Sequence, residues 1–267
     1  MTKFAADTAV TPLGGGAYDT AVSPDWWVYT GPNGGYIASL VLRAMTAEVD
    51  DPGRAARSLT VHYLRPAASA PARVTTRVVR AGRSVTTLAA DLYQEDTHVA
   101  TALAAFARPR EGTPSFHDAT PPYPAGPDET PPSAWPDHLR PPIARQFEYR
   151  PLTTERLFEG AERAEAAAWL RLADPEPYDP VLLATVSDAV VPAVFAKATT
   201  PLAAVTVDLT VHFRGPATAP PGDGWCLAAF RSTVAADGYV EEDGEMYAAD
   251  GTLLAQSRQL AVLVPMS

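Results

Sequence analysis

One short segment of the sequence occurs twice. The residues LTVHYLRPA (59–67) return as LTVHFRGPA (209–217), 150 positions later and with six of nine residues identical. The same order of patterns surrounds both copies, an apolar run with helical spacing followed by several alternating runs typical of strands. A repeat of this period indicates a duplicated unit rather than a short solenoid repeat. The sequence therefore predicts two similar halves.

A proline-rich stretch separates these halves. Of the 27 prolines in 267 residues, eleven lie between Pro109 and Pro142. Proline lacks the N–H that helices and strand ladders need, so this stretch is predicted to be an extended linker. We expect an N-terminal unit over residues 1–108, the linker over 109–142 and a C-terminal unit over 143–267.

Each unit is predicted to hold one long helix and a set of antiparallel strands, which makes the fold class α+β. Apolar residues with helical spacing predict helices over 34–50 and 179–195. Two Ala-Asp-Gly triplets, 236–238 and 249–251, predict hairpin turns. Strands are predicted at 57–64, 72–80, 84–94, 98–107, 165–173, 203–213, 224–235, 239–249 and 253–264.

Composition restricts the partners. The formal net charge is −10, so the chain repels polyanions, and neither nucleic acid nor an anionic membrane is expected as a partner. Cys226 is the single cysteine, which excludes an intrachain disulfide, and the first residues lack the apolar core of a signal peptide. No apolar run reaches the roughly 18 residues of a membrane span. We expect a soluble protein of the reducing cytoplasm.

Asp188 is the polar residue that most needs a partner. It lies within the apolar run 179–195, where an ionised carboxylate costs several kcal/mol unless it is hydrogen-bonded. One interpretation is a functional carboxylate. The other is a residue that faces solvent or caps a break, because Pro192 cannot donate a helical hydrogen bond to the Asp188 carbonyl.

The duplication provides an internal comparison for two further polar residues. Aligning the halves sets Thr206 opposite Ala56 and Gln259 opposite Ala104, while Asp188 aligns more loosely with the glycines that open the first helix. Polar groups thus stand in one copy where the other has none. We infer that the second half carries a polar site and the first half supplies its wall.

The segment GPNGG (31–35) precedes the first predicted helix. Free N–H groups of Gly34, Gly35 and Tyr36 at a helix N-terminus could bind an oxyanion. The alternative is a glycine-rich turn into the helix with Asn33 as its N-cap. The segment matches neither GxGxxG nor the P-loop pattern, so it does not indicate a nucleotide-binding fold.

Several segments in this order resemble the type II acyl-CoA thioesterases. They are GGYIASLVLRA, SLTVHYLRP, TVSDAVVPA, VTVDLT and SRQLAV, and the resemblance runs from about Val28 to the C-terminus. It implies a double hot dog, in which each of two tandem units has a long helix wrapped by a curved antiparallel sheet.

The resemblance also implies a site and a reaction. In that family an Asp, a Thr and a Gln hold the attacking water, and the matching positions here are Asp188, Thr206 and Gln259. The expected reaction is hydrolysis of an acyl-CoA thioester to a carboxylic acid and CoA, in fatty acid metabolism. CoA enters as part of the substrate, so no cofactor is expected. His98, His117 and His138 lack metal-ligand spacing with cysteine or carboxylates, so no metal is expected either.

Two other functions stay open at this point. The same scaffold could bind an acyl or other hydrophobic ligand without cleaving it. A hot dog enoyl-CoA hydratase or dehydratase is the third hypothesis, although that chemistry favours a closely placed Asp and His. Paired hot dog units usually expose sheet edges or helix faces, so we expect a homo-oligomer.

Overall fold

The computed structural model describes residues 1–153, 155–214 and 224–266, so positions 215–217 of the second repeat copy lie outside the described residues. The helices are α1 (Lys3–Asp7), α2 (Gly34–Val49), α3 (Pro180–Val186) and α4 (Val194–Lys197). The strands of the first half are β1 (Thr11–Gly14), β2 (Ala17–Ala21), β3 (Trp27–Val28), β4 (Gly31–Pro32), β5 (Ala55–Tyr63), β6 (Pro71–Ala81), β7 (Val85–Gln94) and β8 (Thr97–Ala107). Those of the second half are β9 (Phe147–Pro151), β10 (Ala164–Leu172), β11 (Leu202–Phe213), β12 (Cys226–Ser232), β13 (Ala235–Ala236), β14 (Tyr239–Ala248) and β15 (Leu253–Pro265).

One large antiparallel sheet joins the two halves. Its strand order is β1-β2-β6-β7-β8-β5-β11-β15-β14-β12-β10-β9, with β13 paired to β14. Read outward from the β5/β11 junction, both halves follow the same connectivity. The predicted duplication is therefore visible as a pseudo-two-fold axis through the centre of the sheet.

The repeated segments meet on this axis. Thr60 pairs with Thr210 in the antiparallel β5/β11 register, and their hydroxyl oxygens are 3.0 Å apart. Their separation of 150 residues equals the offset of the repeat. A residue that faces its own repeat partner must lie on the symmetry axis, so the sequence repeat and the symmetry of the sheet are the same feature.

The register confirms the strand alignment made from the sequence. The ladder is irregular between Ala56 and Ser58 in β5, and again between Thr206 and Asp208 in β11. These irregularities are 150 residues apart, which sets Thr206 opposite Ala56. On the neighbouring strands Gln259 faces Leu209 as Ala104 faces Leu59, so Gln259 and Ala104 are also equivalent.

Helix α2 confirms the first helix prediction. Asn33 is its N-cap, its side chain accepting from the Tyr36 N–H, and Asp50 ends the helix in a left-handed conformation. Ten of its residues are buried, from Gly35 to Met45, so apolar side chains cover most of its circumference. The helix packs against β5, β6, β7 and β8 on one side and α3 on the other.

The second helix prediction was wrong in its length. Helix α3 ends at Val186, and a non-helical segment follows before α4 begins at Val194. The Asp188 N–H donates to the Thr185 carbonyl at 3.2 Å, a tightened last turn, and Pro192 has no N–H to continue the ladder. Asp188 consequently lies at the break, as the second interpretation of this residue anticipated, and not in a helix interior.

The strand and turn predictions are confirmed to within two residues at most boundaries. The predicted strand at 224–235 is shorter, because β12 covers Cys226–Ser232. Asp237 and Gly238 both have positive φ, as the two-residue turn of a hairpin requires. The short strands β1, β2 and β9 were missed, since four or five residues give too little alternation to recognise.

The proline-rich segment packs on the second half. The indole N–H of Trp169 donates to the Ala125 carbonyl at 2.9 Å, and that of Trp135 donates to the Glu155 carbonyl at 3.3 Å. The segment therefore forms part of the wall around the interior. No helix among the described residues has the length and apolar character needed to cross a membrane.

Candidate active site

A cavity of about 760 Å³ lies where the two halves and the proline-rich segment meet. Most of its lining side chains are aromatic or aliphatic, which suits an acyl chain better than a polar ligand. Asp188, Thr206 and Gln259 all line it. Further lining residues are Asn33, Ile37, Tyr63, Trp135, Ile143, Phe147, Tyr149, Leu170, Val191, Phe195 and Glu242.

Asp188 is held against the start of α2. Its Oδ2 accepts from the Gly35 N–H at 3.1 Å and from Asn33 Nδ2 at 2.9 Å, and its backbone carbonyl accepts from the same Asn33 amide at 2.6 Å. The first-turn N–H groups and the positive end of the helix dipole stabilise a negative charge here. The break after α3 therefore places one carboxylate on the N-terminus of the other helix.

Burial raises the pKa of Asp188 to about 6. Desolvation is the main cause, because water cannot solvate the charged form in the apolar cavity. The N–H groups of Gly34 and Gly35 and the Gln259 side chain oppose this rise, since they bond to the charged form. At neutral pH the group is mostly ionised and basic enough to accept a proton.

Gly35 is required for this approach. A Cβ at this position would lie 2.5 Å from the Ala184 carbonyl oxygen, 2.7 Å from that of Thr185 and 3.0 Å from the Asp188 Cβ. Contacts below 3.0 Å cannot be accommodated without moving one of the helices. The glycine thus lets the α2 backbone touch the end of α3 and sets the position of Asp188.

Thr206 and Gln259 stand beside Asp188 on neighbouring strands. The Thr206 hydroxyl donates to Gln259 Oε1 at 3.1 Å across the β11/β15 pair. The Gln259 side chain also favours the ionised form of Asp188 and lowers its pKa. The structure therefore brings the three sequence-predicted residues together in one pocket, and their catalytic role stays a prediction.

Glu242 is a fourth polar residue that the sequence reasoning missed. It is 6% exposed, and its carboxylate accepts from Gln259 Nε2 at 2.8 Å and from the Ala193 N–H at 2.6 Å. Burial raises its pKa to about 7. Alternation along β14 could have revealed it, because Glu242 shares its face with Val240, Gly244 and Met246, all buried.

Two of the three predicted oxyanion donors already have acceptors within the chain. The Gly35 N–H donates to Asp188, as above, and the Tyr36 N–H donates to Asn33 Oδ1 at 2.9 Å. The Gly34 carbonyl accepts from the Tyr63 hydroxyl at 2.7 Å. The N-cap interpretation of Asn33 is confirmed, and an oxyanion role for Gly34, Gly35 and Tyr36 stays a prediction.

The looser helix alignment made from the sequence was wrong. The N-caps Asn33 and Asp179 are 146 residues apart, and so are Ser39 and Thr185, whose hydroxyl oxygens are 2.7 Å apart across the α2/α3 contact. This offset makes Leu42 the counterpart of Asp188. The glycines of α2 are its neighbours in space rather than its equivalents in the repeat.

The mirrored position in the first half holds no polar site. Leu42, Ala56 and Ala104 replace the three predicted residues, and Leu88 takes the place of Glu242 in the β7/β8 register. All four are buried and apolar. Of these two equivalent positions within the described residues, one is polar and the other is filled by core packing.

The helix wrapped by antiparallel strands, present twice about one axis, defines the protein as a double hot dog. Family models of the acyl-CoA thioesterase N-terminal and C-terminal domains match residues 23–107 and 124–263. The chain belongs to the acyl-CoA thioesterase family.

Solved structures show the same fold. The chain is similar to a hot dog protein of unknown function from Alicyclobacillus acidocaldarius, with 28% identity, a TM-score of 0.90 and 100% of both chains covered. It shares the fold of the acyl-CoA thioesterase II TesB2 from Mycobacterium marinum, with 23% identity, a TM-score of 0.76 and 99% of both chains covered. No curated protein matches the sequence. The homo-oligomer, the cytoplasmic location and the link to fatty acid metabolism stay predictions.

Proposed function

We propose that this protein hydrolyses acyl-CoA thioesters by direct attack of water. The observation that carries the proposal is a half-buried carboxylate, Asp188, beside the hydrogen-bonded Thr206–Gln259 pair in an apolar cavity. Membership of the acyl-CoA thioesterase family supplies the thioester. The cavity supplies the space for an acyl chain next to the polar residues.

In the proposed reaction Asp188 and the Thr206 hydroxyl accept the two hydrogens of one water molecule. Its free lone pair then points at the thioester carbonyl carbon. As the new C–O bond forms, Asp188 takes a proton from the water, and the tetrahedral intermediate carries the negative charge on the former carbonyl oxygen. When the C–S bond breaks, Asp188 returns that proton to the departing CoA sulfur, and the carboxylic acid is the second product.

We also propose how the N-terminus of α2 serves the intermediate. A protonated Asp188 is a weaker acceptor than the carboxylate, so the Gly35 N–H becomes available to the oxyanion at the moment when negative charge leaves Asp188. Gly34 lends its amide in the same way, while the Tyr36 N–H contributes through the helix dipole. Charge would thus move from the carboxylate to the oxyanion within reach of the same donors.

The test is release of CoA from a panel of acyl-CoA esters by the wild type and by Asp188→Asn. The wild type is expected to turn over at least one chain length, and the variant to lose turnover while still binding substrate, since the amide keeps the shape but not the base. Equal turnover by both proteins would remove Asp188 from the mechanism. Tight binding without hydrolysis by the wild type would instead support a ligand-binding protein.

Hydration or dehydration of enoyl-CoA is the weaker candidate. Among the described residues that line the cavity there is no histidine to pair with the carboxylate. The same assay separates the two reactions, because hydration leaves the thioester intact and releases no CoA.

A further inference from the structure

The geometry points to Glu242 as a positioning residue that fixes the orientation of the Gln259 amide. This inference rests on the proposed hydrolysis, in which Gln259 holds the Thr206 hydroxyl. Glu242 lines the cavity beside Gln259 and need not touch the substrate. Its role is to decide which end of the amide faces which neighbour.

The hydrogen-bonding groups around that amide permit one orientation. Gln259 Nε2 donates to the Glu242 carboxylate at 2.8 Å, and the Gln259 side chain also lowers the pKa of Asp188, as a donor to its charged form does. Oε1 is left to accept from Thr206. A flipped amide would set Oε1 against the carboxylates and Nε2 against a hydroxyl that could only accept, so the Thr206 proton would lose its acceptor.

Glu242 is itself fixed from behind. Its second carboxylate oxygen accepts from the Ala193 N–H at 2.6 Å, in the segment between the α3 break and α4. The same non-helical segment carries Asp188, five residues earlier. The broken helix therefore places the base directly and, through Ala193 and Glu242, also orients the amide beside it.

The charged groups around Glu242 disfavour its ionised form. Asp188 and Asp243 are the charged groups that act on it, both negative, and no cation forms an ion pair with it among residues 1–153, 155–214 and 224–266. Its remaining contacts are the neutral donors of Ala193 and Gln259. The negative charge of Asp188 thus adds to the burial that raises the pKa of Glu242.

The decisive variant is Glu242→Gln, which keeps the shape and removes one acceptor. The new Oε1 would satisfy Ala193, and the new Nε2 would then face Gln259 Nε2, donor against donor. Gln259 must flip to relieve this contact and so releases Thr206. We expect kcat to fall about 10- to 100-fold, the scale of a misplaced catalytic group, with KM changed by less than about threefold.

Glu241→Gln is the matched control. Glu241 is the adjacent residue of β14, its side chain is exposed, and it pairs with Arg258 on the opposite face of the strand. This variant is expected to keep the wild-type kcat. A comparable loss in the control would attribute the effect to the strand rather than to Glu242.

A double-mutant cycle with Gln259→Ala distinguishes positioning from a structural role. If Glu242 acts through Gln259, then Glu242→Gln costs no further activity once the amide is gone. Additive losses, or a Glu242→Gln kcat within twofold of the wild type, would overturn the inference.

An NMR measurement tests the orientation without catalysis. The Gln259 side-chain NH₂ resonances, identified by their loss in Gln259→Ala, should move in Glu242→Gln and stay in place in Glu241→Gln. Unchanged resonances in Glu242→Gln would contradict the inference. If the wild type released no CoA, the proposed function would fail, and these resonances would still decide whether Glu242 orients the amide.

Discussion

Substituting Gly35 by alanine tests whether the approach of α2 to α3 sets the position of Asp188. The added Cβ would lie 2.5 Å from the Ala184 carbonyl oxygen, and ordinary contacts begin near 3.4 Å. The helices must therefore separate by about 0.9 Å, or by about 0.5 Å if neighbouring atoms also shift. Such overpacking costs about 1–3 kcal/mol of unfolding free energy.

Gly35→Ala should also lower the activity of the protein that remains folded. The added methyl carbon would lie 3.0 Å from the Asp188 Cβ, so the carboxylate moves with α3. A displacement approaching 1 Å at a catalytic group can cost about 10²-fold in rate. We expect kcat for CoA release to fall by about 10- to 100-fold in a protein that denaturant titration shows to be folded.

Two glycine variants calibrate this result. At Gly126 a Cβ would meet nothing within 4 Å, so Gly126→Ala should keep wild-type activity and stability. At Gly34 the new atom would meet Asp188 Oδ2 at 3.1 Å and Tyr63 at 3.3 Å, side chains that can yield, so an intermediate loss is expected. Full activity and stability in Gly35→Ala would refute the claim that this contact positions Asp188.

Three other predictions follow from the site. Since Asp188 must be ionised and its pKa is raised to about 6, kcat/KM should fall at least tenfold per pH unit below about pH 6, and a flat profile from pH 7 to 5 would contradict this role. The pKa of Glu242 is raised from 4.5 to about 7, so the folded state binds its proton more tightly than the unfolded state does. Its contribution to stability is therefore present at low pH and is lost, by about 3 kcal/mol, as the pH rises from about 4.5 to 7, and Glu242→Gln should flatten this slope in denaturant titrations. Trp135→Ala should enlarge the cavity and shift the acyl-CoA preference toward bulkier chains, measured as kcat/KM across the panel; an unchanged ranking would show that the indole does not limit the acyl site.

The fold was largely predictable because the duplication fixes it. Residues 59–67 and 209–217 share a pattern, and a pair of repeats that must meet on one axis leaves few arrangements of the remaining strands. Helix α2 was predictable because its apolar residues follow one period over four turns. The strand alignment of Thr206 with Ala56 and of Gln259 with Ala104 came from the same repeat.

The break between α3 and α4 was harder to predict. Apolar residues continue through 179–195 with helical spacing, and Pro192 indicates that the helix breaks but not the residue at which the chain leaves it. The location of Asp188 on the N-terminus of α2 depends on that break and on the bare backbone of Gly35. Both depend on contacts between segments that are distant in the sequence, and the periodicity of one segment cannot predict such contacts.

Glu242 was missed for a different reason. Its segment, YVEEDGEM, has four acidic residues in eight positions and is typical of a solvated strand. Glu242 is buried and the adjacent Glu241 is exposed only because successive side chains of a strand point to opposite faces. Its partners, Gln259 and the Ala193 N–H, are far away in sequence and could not be inferred from it.

The central claim is that Asp188 is the base that activates water on a bound thioester. A single-turnover measurement tests this most directly. The enzyme is mixed in excess with an acyl-CoA, so that all of the ester is bound, and the release of CoA is followed with time. The wild type should convert the bound thioester completely, while Asp188→Asn should bind the same ester and retain it intact. Conversion at the same rate in both proteins would contradict the claim.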